Sequence, residues 1–410
     1  MRVLFLSLLD FDSFNERNIY TDLMREFIKH GHEVFCVSPV ERRTGAKTHL
    51  AESGHLLKLR IGNIQKTNIV EKGISTLLIE RQFVSAIKKY FSNIKFDLVL
   101  YSTPPITFAN AIRYVKKRDG AKTYLMLKDI FPQNAVDLGM LSLHGWKNML
   151  YRYFRHKERV LYALSDRIGC MSEANVEYVL KHNPDILPEK VEICPNAVEP
   201  MDMSLSEEEI KEMRLKYGIP LDKKVFVYGG NLGKPQGIPF LIDCLRTQKD
   251  CEDVYFLIVG DGTEYGKLND FLETEKQSNV KLMSRLPKED YDKMIAACDV
   301  GMIFLDHRFT IPNFPSRLLS CMQAKLPVLA VTDPNTDVGT VITGGGFGWW
   351  CESNNLERFA ELIQRIKTSD LSSCKEKAWN YLCSFYHVSE VYANCFASLA
   401  EESCDKDKSL

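Results

Sequence analysis

The sequence predicts an α/β protein of two domains, each a doubly wound, largely parallel sheet, the two facing one cleft. Three observations lead there. Short apolar strands alternate with helical segments along the chain, which argues for right-handed βαβ units. A polar stretch at residues 196–206 interrupts that alternation, which then starts afresh. Finally, 410 residues exceed what one core organises, so two domains of about 200 residues are expected.

The first half opens with a strand at 2–8 and a helix at 19–29 that ends at Gly31, followed by a strand at 34–38. The loop between them, LDFDSFNERN, lies beyond the carboxyl end of the first strand, as a solvated loop or as part of an acceptor site. Residues 41–72 read as polar and irregular, and 76–90 as a helix. A strand at 96–101 runs into Ser102-Thr103-Pro104-Pro105, where two prolines stop it. The strand at 121–127 delivers KDIFPQNAVDLGM to the same edge, so Lys128, Asp129 and Gln133 compete for one cleft. Residues 146–163 form a helix in which Lys147, Arg152, Arg155, Lys157 and Arg159 interleave with Trp, Met, Leu, Tyr and Phe. That face is either the charged side of a packed helix or a contact for an anionic bilayer. Strands at 167–171 and 191–195 complete this half.

The second half begins with a charged helix at 207–217, then VFVYGGNLGKPQGIPFLIDCL. Val225 to Tyr228 are strand formers, Gly229, Gly230 and Gly233 suit a sharp turn, and Ile238-Pro239 starts a helix. Such a turn points amides and a helix N-terminus at one spot, the natural ligand being a phosphate. Strands follow at 254–259, ending in Gly260-Asp261-Gly262, and at 280–283, 300–305 and 328–331, with helices at 288–297 and from about Ser316. His307 and Arg308 follow a strand as donor contacts or as solvated loop, and Trp349-Trp350 read as packing under a flexible glycine turn. Helices at 356–368, 373–384 and 388–402 close the chain.

Composition excludes several classes. With 53 basic against 54 acidic residues and a net charge of -1, no nucleic-acid partner is expected. Twelve cysteines without a CxxC pair indicate a reduced, cytoplasmic protein and neither a disulfide framework nor a metal site. The N-terminal MRVLFLSLLDFD soon meets Asp10 and Asp12, which makes it a strand and not a signal peptide.

Five motifs then occur in a telling order: Gly31-His32-Glu33-Val34, Cys194-Pro195-Asn196-Ala197-Val198, Gly230 to Gly233 through Gln236-Gly237, Val259-Gly260-Asp261-Gly262, and Pro315-Ser316-Arg317 ahead of Leu326-Pro327-Val328. With them the chain resembles family 4 of the retaining GT-B glycosyltransferases, in the branch that builds bacterial surface polysaccharides, similar to fucosaminyl transferases.

The resemblance implies an acceptor-binding domain at 1–198, a nucleotide-sugar domain at 199–384, and a terminal helical segment, 385–410, returning to the first. It implies metal-independent, cofactor-free transfer from a nucleotide sugar, a UDP-sugar, to a saccharide on undecaprenyl diphosphate. The enzyme would then be cytoplasmic, lying at the inner membrane face if residues 146–162 form the membrane contact. The donor diphosphate would meet Gly230, Asn231, Gly233, Lys234, Ser316 and Arg317, and the nucleoside Gly260, Asp261, Leu286 and Ser320. Asn231 and Gln236 stand where many members carry an arginine and a lysine, which leaves Lys234 to supply charge. Pro312 and Ser320 replace two glutamates, and Asp129 stands in place of a histidine as the group acting at the sugar. A carboxylate there suits oxocarbenium stabilisation or help to the acceptor hydroxyl. The alternatives are a sugar-nucleotide 2-epimerase of the same fold and a non-catalytic partner subunit.

Overall fold

The computed structural model describes residues 1–64, 69–397 and 399, and its chain divides into two compact units. The first comprises Met1–Glu199 with the segment from Val388 onward, the second Pro200–His387.

In the first unit, β1 (Arg2–Leu6) buries four successive residues, the mark of a strand covered on both faces. Next, α1 (Ile19–Lys29) is started by a capping box in which the Asn18 side chain accepts from the Tyr20 and Thr21 amides and the Thr21 hydroxyl takes the Asn18 N–H. Then come β2 (Glu33–Glu41), β3 (His49–Ala51), β4 (Leu56–Ile61), α2 (Ile69–Tyr90), β5 (Leu98–Ser102) and α3 (Ala109–Asp119). They are followed by β6 (Lys122–Leu127), α4 (Gln133–Asp137), α5 (Lys147–Leu164), β7 (Arg167–Cys170), α6 (Glu173–His182) and β8 (Val191–Ile193). The strands order as β3-β4-β2-β1-β5-β6-β7-β8, parallel throughout except β3 against β4. The winding reverses between β1 and β5, so the loops after these strands and after β6 gather at one edge.

The expectation of irregular chain at 41–72 is corrected by β3 and β4; residues 65–68 lie outside the described residues. Lys58 hid β4 by breaking its apolar run, yet it is buried: its ammonium pairs with Asp10 and Asp12 and donates to the Phe11 carbonyl at 2.7 Å. A buried charge is tolerable when so paired.

The second unit begins with α7 (Glu207–Lys216), capped by Ser206 and Glu209 in a second capping box. Then come β9 (Lys224–Asn231), α8 (Ile238–Thr247), β10 (Val254–Asp261), α9 (Tyr265–Glu275), β11 (Val280–Met283), α10 (Lys288–Ala296) and β12 (Val300–Phe304). They lead to α11 (Arg317–Gln323), β13 (Val328–Thr332), α12 (Val338–Gly344), β14 (Gly348–Glu352), α13 (Leu356–Lys367) and α14 (Ser372–Phe385). Six parallel strands order as β11-β10-β9-β12-β13-β14, with Phe226, Tyr228, Phe256, Phe304 and Phe359 at the centre of the core. Trp349 and Trp350 pack as expected, but as residues of β14: Trp349 lies against the core of this unit, and the Trp350 indole donates to Thr332 Oγ1 at 2.9 Å.

The chain then rejoins the first unit as α15 (Val388–Cys395), its first amide donating to the Val198 carbonyl at 2.9 Å. Tyr392 and Phe396 pack on Phe27 with ring centroids 5.0 and 5.2 Å apart. The helix expected over 388–402 is assigned to Cys395; residue 398 and residues 400–410 lie outside the described residues.

Candidate active site

In the second unit the winding reverses between β9 and β12, which places a crevice at the carboxyl ends of those strands. Here one expectation is corrected. Gly229 and Gly230 are not turn residues but the end of β9, paired with Val259 and Gly260 of β10. Their missing side chains make room: a Cβ on Gly229 would lie 1.8 Å from the Tyr291 hydroxyl, and one on Gly260 would lie 1.8 Å from the Gly230 carbonyl. The turn itself spans Leu232 to Gly237, with Gly237 left-handed at φ 58°.

Four amides at this turn are already engaged within the protein. Leu232 N–H donates to the Asp261 carbonyl, Gly233 N–H to Gln236 Oε1, Gln236 N–H to the Gly233 carbonyl and Gly237 N–H to the Lys234 carbonyl. These four donors hold the turn together. Asn231 and Gln236, which depart from the family pattern, bond to each other, Nδ2 to Oε1 at 3.0 Å. The Asp306 N–H, donating to the Pro235 carbonyl at 2.9 Å, ties the turn to the chain after β12.

Charge at the crevice comes instead from side chains. Arg317, the first residue of α11, stacks its guanidinium on the Tyr228 ring at 4.4 Å and comes within 3.3 Å of where a Gly230 Cβ would stand. Among the described residues its buried Nη1 has no hydrogen-bond partner. An orphaned guanidinium nitrogen is costly, and its cost is recovered when an anion binds. Burial pushes the Tyr228 hydroxyl above the usual tyrosine range while Arg317 pulls it back, so the ring stays a neutral platform. Sequence reasoning missed Tyr228 by reading it only as a strand former; its signal was an aromatic residue directly before two glycines.

The remaining donor-site residues fall unevenly. Asp261 and Gly260 lie beside Asn231 and Gly230 in register. Lys234 is exposed at the tip of the turn, Ser316 is exposed just before α11, and Ser320 lies one helical turn beyond Arg317. Leu286 follows β11, the strand at the sheet edge. Arg308 grips Asp306 through two bonds of 2.8 Å; burial raises the Asp306 carboxyl, but Arg308 outweighs it and holds the pKa below the ordinary value.

In the first unit, Asp129 is the second residue beyond β6. Its amide and that of Lys128 both donate to Thr103 Oγ1, at 3.1 and 3.0 Å, and that hydroxyl donates to the Asp129 carbonyl. The carboxylate accepts from Asn134 Nδ2 at 2.8 Å. Burial lifts its pKa to about 6, against the pull of Asn134 and the Ile130 amide, with Glu158 adding repulsion. A carboxyl poised there exchanges protons near neutral pH. Lys128 turns away to the Cys194 carbonyl at 3.1 Å, and Gln133 bonds Asp137 at 2.8 Å.

Two doubly wound sheets, one with an unpaired cation at its switch point and the other with a raised carboxyl, form a GT-B fold, and the family matches show the class: the chain is a glycosyltransferase. Residues 18–201 match the model of Glycosyltransferase Family 4 and residues 209–380 that of Glycosyl transferases group 1, and the chain belongs to the glycosyltransferases built from these two domains. It is similar to WbjE, a probable glycosyltransferase of Pseudomonas aeruginosa, with 26% identity over 341 residues covering 82% of this chain and 83% of that one. WcaI of Escherichia coli, named for colanic acid biosynthesis, is 24% identical over 206 residues, 50% of this chain and 49% of WcaI. Among solved structures, Anabaena HepE in complex with UDP aligns with a TM-score of 0.68 at 15% identity, covering 98% of this chain and 100% of HepE. WaaG, a glycosyltransferase involved in lipopolysaccharide biosynthesis, aligns with a TM-score of 0.67 at 15% identity over 96% of this chain and 99% of WaaG.

Proposed function

We propose that the chain transfers a sugar from a nucleotide-diphosphate sugar, a UDP-sugar, to a saccharide carried on undecaprenyl diphosphate, with retention at the anomeric carbon and without a metal, in bacterial capsule or O-antigen synthesis. The observation that carries this reading is the unpaired Arg317 Nη1 beside Gly230. A departing diphosphate develops negative charge, and a preorganised cation stabilises it most where water is scarce. With four of the amides around the turn engaged, Arg317 and exposed Lys234 supply the charge for this task, and Gly230, Asn231, Gly233 and Ser316 complete the diphosphate contacts. Gly260, Asp261, Leu286 and Ser320 take the nucleoside, and Asp129 acts as the carboxylate that assists the acceptor hydroxyl. The acceptor class is supported by relatives named for colanic and teichuronic acid biosynthesis, and UDP by the ligand of HepE.

Location at a membrane face rests on α5 and the loop before it. Trp146 and Met149 are each 77% exposed, with Leu143, Leu150 and Tyr153 also exposed, amid Lys147 and Arg152. Solvent-facing aromatic and apolar side chains among cations suit an anionic bilayer. Among the described residues no helix is long and apolar enough to cross a membrane.

The test is to incubate the purified protein with a panel of nucleotide sugars and lipid-linked acceptors, following nucleoside diphosphate release and acceptor mass. A mass gain of one sugar, lost in Arg317→Ala, supports the reading and names the donor. Loss of the acceptor requirement with isomerised donor would point to the epimerase, and no turnover with a competent acceptor pool would sink the transferase.

A further inference from the structure

Between α5 and α6, beside the Ile130-to-Gln133 loop that follows Asp129, lies a cavity of about 230 Å³. That is below the roughly 300 Å³ at which pockets for whole drug-sized ligands begin, so it takes a fragment and not a nucleotide sugar. Tyr151, Arg155 and Arg159 line it from one face of α5, at i, i+4 and i+8, and Tyr178 and His182 from α6.

The walls are held in place. Arg155 donates to Glu158, to the His182 carbonyl at 2.9 Å and to Asn183 Oδ1 at 2.6 Å, and buried Glu158 also accepts from the Tyr162 hydroxyl at 2.8 Å. The Arg155 charge is thus neutralised by Glu158, and neither group is left to capture an ion. The Tyr178 ring is stacked on His182 at 4.0 Å, which fixes its plane. Arg159 differs: among the described residues its exposed guanidinium enters no hydrogen bond or ion pair and feels Glu158 only through longer-range attraction, so the cavity lining holds two arginines against one carboxylate.

A phosphate dianion would call for more than one free cation and has no use for an aromatic wall. A carboxylate carries one charge and matches the guanidinium fork, and a sugar ring presents apolar C–H faces to tyrosine planes. We propose that this cavity is a subsite for one uronic acid unit of the acceptor saccharide, its carboxylate bound by Arg159 and its ring laid against Tyr178. The proposal rests on the transferase reading for what brings the saccharide, but binding can be measured without turnover.

The full chain would be titrated with glucuronate, glucose and inorganic phosphate by ligand-observed saturation-transfer NMR, with UDP binding measured alongside. The expected result is saturable glucuronate binding, weakened at least tenfold in Arg159→Gln and partly restored in Arg159→Lys, with UDP binding unchanged in both variants. Glucose binding as well as glucuronate, phosphate competing fully, or Arg159→Gln retaining wild-type affinity would each overturn the proposal. Arg159-dependent glucuronate binding in a protein that turns over no nucleotide sugar would uphold the subsite while sinking the transferase reading.

Discussion

The Arg317 guanidinium lies 4.4 Å from the centroid of the Tyr228 ring, and the two come from segments nearly ninety positions apart that only the parallel sheet brings together. Stacking holds the cation without neutralising it, because the ring offers a quadrupole and no opposite charge, and among the described residues Nη1 has no hydrogen-bond partner. Charge-assisted hydrogen bonds contribute about 1.5 to 3 kcal/mol each, or roughly 10- to 150-fold. Arg317→Ala is therefore expected to lower kcat/KM by about 100-fold and Tyr228→Leu by about 5-fold, with donor affinity measured by UDP titration falling in parallel. Unchanged kinetics in Arg317→Ala would remove the diphosphate from this crevice.

In the proposed mechanism, Asp129 links catalysis to stability in opposite directions. Its folded-state pKa of about 6 lies above the ordinary carboxyl value, so the folded chain holds this proton more tightly than the unfolded chain. The stabilisation is full below about pH 4 and is lost as pH rises through about 6, the carboxylate then costing on the order of 2–3 kcal/mol at neutral pH. Asp129→Asn is expected to raise the melting temperature at pH 7 relative to wild type, to erase that difference at pH 4, and to abolish transfer. In the wild type, kcat/KM should fall on acidification through pH 6. A variant less stable than wild type at pH 7 would contradict the buried-charge argument.

The two sheet-edge glycines make a paired prediction. A Cβ on Gly229 meets the far end of the Tyr291 side chain, which can swing, whereas one on Gly260 meets the Gly230 carbonyl, fixed in the ladder. Gly260→Ala should then cost several kcal/mol, on the scale of overpacking and beyond, while Gly229→Ala costs about 1–3. Combining Gly229→Ala with Tyr291→Ala should recover part of the loss, read as non-additivity in urea unfolding. Equal costs for the two single variants would mean that the β9–β10 edge yields more easily than its hydrogen bonding indicates.

How far the chain could be read in advance depended on whether a residue's partner was local. The strands at Val225–Tyr228 and Val300–Phe304 carry uninterrupted apolar runs, so these were visible in sequence, whereas the caps at Asn18 and Ser206 went unread although each is set within four residues. The strand Leu56–Ile61 was not, because Lys58 is apolar in its burial only through Asp10 and Asp12, about fifty positions away. Gly229 and Gly230 read as turn residues since sequence does not separate a glycine needed for φ from one needed for room; here the carbonyls and the Tyr291 ring decide. The likeness of Asn231 and Gln236 to lost charges was visible, but their mutual bond, which converts them into a brace, was not.

The exposed face of α5 has a neighbour that extends the membrane argument. Lys157 of α5 pairs with Glu80 of α2 at 3.5 Å, and α2 exposes Ile74, Leu77 and Leu78 within two turns before that bridge, as Trp146 just ahead of α5 and Met149, Leu150 and Tyr153 within it are exposed before its own end of it. Both helices precede strands of one parallel sheet and so run in the same sense, which puts their amino-terminal halves, and these apolar side chains, toward one edge. If that edge meets anionic lipid, apolar insertion and the basic residues act together, each cation contributing about 1 kcal/mol near the surface. Flotation with phosphatidylglycerol vesicles should retain the wild-type protein, and Trp146→Ser with Met149→Ser should lower the bound fraction at least 10-fold without lowering the melting temperature, since both side chains are largely exposed. Leu77→Ser should weaken binding further only if α2 shares the surface, and equal flotation on neutral phosphatidylcholine would leave the basic residues without the part assigned to them.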